Sequence, residues 1–338
     1  MSVYFNLLVA TCPSLFYRIG TGFIPKMRTT MKRQLICTLL FLSVVAAANA
    51  AEQLATTAES MPGNQPQVER FFAQPFSAID ISGPIDVQIK DKEAKPALEL
   101  MGDANSLSHL YAAVKNGVLY LGVQSGAQQP LNIQVKVSVP QLNQLHYAGS
   151  GNVVGENMYG PFTIASNGTG NIVLLGKNFD LQDLKAAGTA NIHILGIESH
   201  LLNVQDSSSG KINLGGSMVL HNLSYQGTGP LSIEWVNSSD VNVTGSGRGK
   251  IFLAGIADQI NATLSDHVFM DAKYLHADKG FINTRDNARA DVWTKYNLSA
   301  LATKGSNIYY YHDSQMVGGY MIAPGAVIRM TGLDTINR

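Results

Sequence analysis

Hydrophobic and polar residues alternate along most of the chain from Phe71 onward. Apolar residues recur at every second position in runs separated by clusters of Gly, Pro and Asn, and the first long run includes Ile79, Ile81 and Val87. A period of two is typical of β-strands, whose successive side chains point to opposite faces. One segment, 107–114, has apolar residues at helical spacing and predicts a single short turn of helix. The pattern therefore predicts an all-β protein.

A repeat of about 19–20 residues runs from about residue 145 to residue 313. Its anchor is the residue that follows a small, Gly-rich tripeptide, and the residues one and three positions after the anchor are mostly apolar. These two positions lie on one face of a strand and would stack between repeats as ladders in a continuous core. The residue before the anchor is usually Gly, and we expect it to adopt the positive φ of a tight turn. The anchors are Asn152, Asn171, Asn191, Lys211, Pro230, Lys250, His267, Asn287 and Asn307.

A second strand follows the first within each repeat, as the pairs Leu202/Val204 and Val241/Val243 show. Too few residues remain in a repeat for a crossover helix. The repeat therefore predicts a right-handed parallel β-helix, a β-solenoid whose coils pair at about 4.8 Å. The strands before residue 145 lack this period and are expected to be irregular.

Several segments resemble the head GIN domain family, bacterial proteins described as auto-transporter adhesins whose domain has no established function. The similar segments are FSAIDISGPIDVQI at 76–89, KNGVLYLGV at 115–123 and VSVPQLNQLHYAGSGNV at 137–153, and the Gly-Ser-Gly-type turns recur at 149–151, 168–170 and 227–229. The resemblance covers about residues 71–313. It implies a right-handed β-helix and an adhesion-like role, and it transfers no catalytic residue. The Gly turn is lost after Gly249, so the last coils are expected to be less regular.

The N-terminal region contains the features of a secretory signal peptide. Residues 31–33 are a basic start, 35–45 are an apolar core and 48–50 (Ala-Asn-Ala) are a small-residue cleavage site. We expect residues 1–30 to be a mis-assigned upstream start, 31–50 the signal peptide and 51–69 a disordered leader. The β-helix domain would then span 70–313, with 314–338 as a C-terminal cap or tail. Cleavage would remove Cys12 and Cys37, the two cysteines of the chain, and the apolar core is too short to span a bilayer.

The charge balance argues against a nucleic-acid partner. Lys and Arg total 24 and Asp and Glu total 24, but five of the basic residues lie in the first fifty positions, which hold no acid. The processed chain would therefore carry a net charge of about −5, without the basic field that nucleic-acid binding requires. The chain has a predicted signal peptide, and we expect no membrane span in the processed chain. The sequence therefore predicts a protein of the periplasm, the outer-membrane surface or the extracellular medium.

Candidate binding residues cluster at the C-terminal end of the repeat. The outward position two after the anchor carries aromatic and basic residues in the last coils, with acids and a further Tyr beside them. Such a face could stack on a surface glycan or anchor a protein ligand. The alternative is that the tail from Ser314 folds over this face and buries it. The predicted site comprises Phe252, Phe269, Arg289, Tyr309, Tyr311, Asp271 and Asp291.

Two carboxylate pairs in neighbouring coils deserve comparison with β-helix enzymes. Asp266 and Asp286 share the turn position, and Asp271 and Asp291 share an outward position, each pair roughly 5 Å apart, as in a retaining glycosidase. We expect the first pair to replace turn glycines and the second to lie at solvated strand ends. The sequence contains no P-loop, nucleophile elbow or dinucleotide fingerprint.

The leading interpretation of the sequence is a non-enzymatic exported protein that binds or adheres to a surface, with no catalytic residue, metal or cofactor. The histidines at 193, 267 and 312 are too scattered to form a metal site. The alternatives are a carbohydrate-active β-helix enzyme, a polysaccharide lyase or hydrolase, and a periplasmic structural scaffold.

Overall fold

The computed structural model describes residues 67–330 except 92, 125, 127–129, 313, 323 and 324. The predicted upstream start, the signal peptide and residues 51–66 of the predicted leader lie outside the described residues. One helix, α1 (Ala104–Ser108), and nineteen strands are present in the described part. The strands are β1 (Gln67–Phe72), β2 (Ala78–Gly83), β3 (Asp86–Lys90), β4 (Ala97–Gly102), β5 (Leu110–Lys115), β6 (Val118–Val123), β7 (Ile133–Ser138), β8 (Gln144–Gly149), β9 (Asn152–Ser166), β10 (Asn171–Ala186), β11 (Asn191–Asp206), β12 (Ile212–Tyr225), β13 (Pro230–Gly245), β14 (Lys250–Leu264), β15 (Phe269–Thr284), β16 (Arg289–Thr303), β17 (Asn307–Tyr310), β18 (Gln315–Ile322) and β19 (Ala326–Arg329).

The N-terminal strands form both parallel and antiparallel pairs. This agrees with the irregular arrangement that was predicted because the sequence before residue 145 lacks the repeat. Strand β4 is antiparallel to β1 and β7, and β5 forms an antiparallel pair with β6. Strand β2 is parallel to β6 and β8, and β3 is parallel to β7 and β9, so these strands lead into the regular coils. Strand β1 begins at Gln67, which places the last three residues of the predicted leader in the sheet.

Helix α1 is capped by Asp103, whose side chain accepts a hydrogen bond of 2.8 Å from the backbone N–H of Ser106. The helix ends at Ser108, and Leu110 and Val114 belong to β5. The short helix that was predicted within 107–114 therefore lies mostly before that segment, which overlaps it at residues 107 and 108 and belongs to β5 from Leu110 onward. The reason is that β5 pairs with β6 along its whole length, and this pairing overrides the local spacing.

Strands β9 to β16 are 14–16 residues long, and each makes up most of one coil and is parallel to the next strand. Together with the flanking strands they make a parallel β-solenoid of about nine turns, which confirms the predicted fold class. The inward ladders are confirmed as well, since Ile192, Ile212 and Leu231 are at most 1% exposed and pair in register on successive coils. The second strand of each repeat is buried in the same way, as at Leu202 and Val243.

The predicted register is wrong in the coil that follows β14. Lys250 pairs with Phe269 rather than with His267, and Phe269 pairs with Arg289. The error of two residues arose because Asp266 and Asp286 were aligned with Gly249. Both aspartates have positive φ, at 62° and 56°, and each lies three residues before its anchor, where Gly247 (φ 99°) stands in the preceding coil. A shift of two residues leaves the inward and outward faces unchanged.

Glycines that precede the anchors are required by close packing of successive coils and not by their backbone angle. Gly170 and Gly229 do not have positive φ, contrary to the prediction. A Cβ atom at either position would lie about 2 Å or less from the carbonyl oxygen of the glycine at the same position in the coil before, at Gly151 and Gly210. These positions therefore accept Gly because successive backbones approach too closely for a side chain.

The C-terminal segment continues the stack. Strand β18 is parallel to the second half of β16, and β19 is parallel to β17, with Tyr309 paired to Ile328. The described part of the tail therefore adds to the end of the solenoid and does not lie across the outward face. No helix among the described residues is long and apolar enough to cross a membrane.

Candidate functional site

Two neighbouring outward columns bring the predicted site residues together on coils β14 to β17. Because of the corrected register, Phe252 pairs with Asp271, Asp271 with Asp291, and Asp291 with Tyr309. Phe269 and Arg289 lie in the adjacent anchor column, after Lys250. The single column of Phe252, Phe269, Arg289 and Tyr309 that the sequence predicted is therefore replaced by two columns side by side. We call this surface the C-terminal strip, and it comprises Lys250, Phe252, Phe269, Asp271, Arg289, Asp291, Tyr309 and Tyr311.

Arg289 is held between two aromatic rings of the C-terminal strip. Its guanidinium carbon lies 4.7 Å from the ring centre of Phe269 and 4.5 Å from that of Tyr309. Its Nε and Nη2 donate to the two oxygens of Asp291 at 2.6 and 2.7 Å. This bidentate bond raises the pKa of Arg289 above its usual value, so the group is a permanent cation fixed in orientation.

Tyr311 donates to the same carboxylate, with 3.2 Å between its hydroxyl oxygen and Asp291 Oδ2. Burial, followed by the charge of Asp291, raises the pKa of Tyr311. Tyr311 therefore keeps its proton and acts as a donor that positions Asp291, which in turn orients Arg289.

Asp271 is buried beneath two lysines. Its Oδ2 lies 3.3 Å from Nζ of Lys273 and 3.8 Å from Nζ of Lys250, and its Oδ1 has no hydrogen-bond partner in the described part of the protein. Lys250 also lies over the ring of Phe269 at 4.9 Å. The expectation that Asp271 and Asp291 lie at solvated strand ends is wrong, since their side chains are only 8% and 2% exposed. Basic side chains from the same and neighbouring coils cover both carboxylates.

The C-terminal strip therefore presents cations and ring surfaces outward and keeps its acids underneath. The side chains of Lys250 and Arg289 are 51% and 45% exposed. The side chains of Phe252, Phe269 and Tyr309 are half-buried, so part of each ring is accessible to solvent. The exposed groups of this surface match an anionic ligand better than a neutral one.

Sequence reasoning missed an aromatic stack at the edge of the strip. Trp293 lies between His276 and His312, with ring centres 4.3 and 4.6 Å apart and rings nearly parallel. Burial, and to a lesser extent His312, lowers the pKa of His276. Nearby, Phe252 contacts the half-exposed ring of Tyr274 at 6.0 Å. Register shifts between β14 and β15 and between β15 and β16 place these rings together, and a fixed repeat could not have predicted these contacts.

Other polar residues singled out by the repeat have structural roles. Asp266 and Asp286 occupy a positive-φ turn position, but it is that of Gly247 and not that of Gly249, with which the sequence aligned them. Asn171 and Asn191 continue a ladder in which each Nδ2 donates to the Oδ1 of the preceding coil's Asn, at 2.9 and 3.1 Å. No group of three or more metal-ligating side chains occurs within the part of the chain that the structure describes.

Comparisons with known proteins assign the sequence to a family. The family described as "Putative auto-transporter adhesin, head GIN domain" matches residues 75–232 and 220–314. No curated protein matches the sequence.

Solved structures with similar folds have low sequence identity. A putative adhesin from Parabacteroides merdae shares 18% identity, with 79% of this chain and 96% of that chain covered and a TM-score of 0.44. A putative adhesin from Parabacteroides distasonis shares 17% identity (79% and 98% covered, TM-score 0.40), and a putative lipid binding protein from the same species shares 14% (80% and 98% covered, TM-score 0.41).

Proposed function

Since the chain belongs to the auto-transporter adhesin head GIN domain family, we propose that it is an exported, non-enzymatic protein that binds a surface ligand through the C-terminal strip. The ligand class that fits the strip is an acidic glycan, one that carries carboxylate, sulfate or phosphate groups. The cell compartment follows from the sequence of residues 31–50, which has the features of a signal peptide. The protein would therefore act in the periplasm, at the outer-membrane surface or outside the cell.

The placement of Arg289 is the observation that supports this proposal. Its guanidinium is fixed by Asp291 through Nε and Nη2 and is flanked by two rings, so Nη1 lies outside the internal ion pair. A cation whose rotamer is already fixed loses little conformational entropy when it binds a ligand. Lys250 has a similar arrangement two coils earlier, where it lies over the ring of Phe269 and beside Asp271.

The geometry of the carboxylates favours binding over glycoside hydrolysis. A retaining glycosidase needs one carboxyl group that donates a proton and another that is free to attack the sugar. Asp291 has both oxygens bonded to Arg289, and Asp271 is flanked by two ammonium groups. Neither carboxylate is placed as a proton donor or as an accessible nucleophile.

Binding of the purified protein to an array of neutral and acidic glycans tests the proposal. We expect the wild-type protein to bind acidic glycans, and Arg289→Ala to weaken that binding at least tenfold because it removes the fixed cation. Phe269→Ala should have a similar effect, since the ring supports both Arg289 and Lys250. Lys211→Ala is the matched control, because Lys211 is an exposed cation in the same anchor column but lies outside the strip.

Circular dichroism would establish that each variant remains folded. An equal loss of binding in Lys211→Ala would show that the attraction depends only on general charge, and would contradict a defined site. Absence of binding to every acidic glycan by the wild-type protein would refute the proposed ligand class.

A further inference from the structure

Trp235 occupies an unusual position at the corner of coil β13. Its backbone has a φ of 69°, in the left-handed region, and its side chain is 63% exposed. The pairing of β13 with β14 shifts between Glu234 and Val236, so Trp235 is the bulged residue between them. A bulge at the corner turns its side chain away from the regular ladder.

An earlier coil shows what the corner backbone requires. The pairing of β11 with β12 shifts in the same way, between Leu195 and Ile197, and the bulged residue there is Gly196, with a φ of 75°. Glycine adopts this region without steric conflict, whereas a side chain with a Cβ atom does so at a cost in energy. Trp235 therefore combines a strained backbone with an indole that contributes little to the core. Such strain at an exposed side chain points to a role outside folding.

The surroundings of Trp235 leave its ring accessible. On one side lies the coil with Gly215 and Gly216, and on the other lies the coil with Ala254 and Gly255. No aromatic or cationic stacking partner of Trp235 occurs among the described residues. The other tryptophan of the chain, in contrast, has an imidazole over each face of its ring.

Polar side chains occupy the sheet face that leads to this corner. Glu234 precedes Trp235 and is exposed, and its Oε1 accepts a hydrogen bond of 3.3 Å from Ser232. Asn213 pairs with Ser232 on the preceding coil. A carboxylate, a hydroxyl and an amide at the spacing of adjacent strands can together accept and donate hydrogen bonds to the hydroxyl groups of a sugar.

We infer that Trp235 is the stacking platform of a saccharide subsite, with Asn213, Ser232 and Glu234 as its polar wall. The electron-rich face of an indole attracts the C–H groups of a pyranose ring, and the polar wall would orient the ring hydroxyls. The small residues beside Trp235 leave room for a sugar but provide little of the apolar area that a protein interface needs, about 800 Å² on each partner. The evidence for this subsite is independent of the C-terminal strip.

Tryptophan fluorescence can report on the subsite directly, because the chain contains only Trp235 and Trp293. In the variant Trp293→Phe, Trp235 is the sole emitter. Titration with cellotetraose, maltotetraose, mannotetraose and chitotetraose should produce a saturable change in its emission with at least one sugar. The matched variant Trp235→Phe, in which the stacked Trp293 remains, should show no change at its emission wavelength with the same sugar.

A second variant separates binding from folding. Trp235→Gly should bind that sugar at least tenfold more weakly, while its melting temperature stays equal to or above that of the wild-type protein because the strained backbone is relieved. Ile256→Ala, which alters an exposed apolar residue on the next coil, should leave binding unchanged. No emission change with any of the four sugars would overturn the proposal, and so would undiminished binding by Trp235→Gly. Equal losses in Trp235→Gly and Ile256→Ala would also overturn it, in favour of an apolar docking surface.

Discussion

Replacing an inward ladder residue should cost far more stability than replacing the outward residue next to it. Ile212 is fully buried between Ile192 and Leu231 of the adjacent coils. The change Ile212→Ala removes three carbons, which at about 0.8 kcal/mol per buried CH₂ amounts to about 2.4 kcal/mol in transfer free energy. The neighbouring coils are held by backbone hydrogen bonds and cannot collapse into the space, so a cavity penalty adds to this loss. We expect a total of roughly 3–5 kcal/mol.

Asn213→Ala is the matched control, since Asn213 is the next residue on the same strand and points outward. Its loss should be under about 0.5 kcal/mol. Urea unfolding followed by circular dichroism would measure both variants, with the slope of the transition compared as well as its midpoint. An unchanged slope would show that the variants unfold through the same transition as the wild-type protein. Equal losses for the two variants would refute the assignment of inward and outward faces.

Two further predictions concern a buried acid and the processing of the chain. Asp206 is buried, its Oδ2 has no partner in the described structure, and burial raises its pKa above the ordinary value of 3.8. The folded protein therefore binds this proton more tightly than the unfolded chain does, so stability should fall as pH rises from about 4 through the raised pKa. Asp206→Asn should raise the melting temperature at pH 7 and flatten this dependence, and a lower melting temperature at pH 7 would contradict the reasoning. N-terminal sequencing of protein recovered outside the cytoplasm should begin at or near Ala51, and a cytoplasmic protein with an intact Met1 would refute export through the predicted signal.

The sequence predicted the coils well because the inward ladders tolerate few residue types. Positions such as Ile212 and Leu253 are apolar in nearly every coil, so the period and the buried face can be read from the pattern. The register between β14 and β15 was missed because Asp266 replaces one turn glycine, Gly247, and not the other, Gly249. Gly247 is needed for its positive φ, whereas Gly249 is needed because a side chain there would clash with neighbouring atoms. The sequence alone does not distinguish these two reasons for a glycine.

The seven site residues that the sequence predicted lie together on the C-terminal strip, but Lys250 and the contacts among these residues were not predicted. The i, i+2 spacing of Arg289 and Asp291 places both on one face of a strand, and their ion pair could have been foreseen from it. The stack of His276 on Trp293 could not, because the register of β15 and β16 shifts between Ala272 and His276. Bulges of this kind depend on how two coils fit together and leave no periodic trace in the sequence.

The independence of the middle coils has a consequence for the evolution of this protein. Among the strands that the structure describes, each of β10 to β15 pairs only with the coil before and the coil after it. Gain or loss of one coil by gene duplication or deletion would therefore change the distance between the N-terminal strands and Arg289 by about 4.8 Å and disturb neither end. The middle of the solenoid is in this sense a spacer of adjustable length. Selection could then change the distance between the N-terminal region and the proposed binding groups without altering those groups.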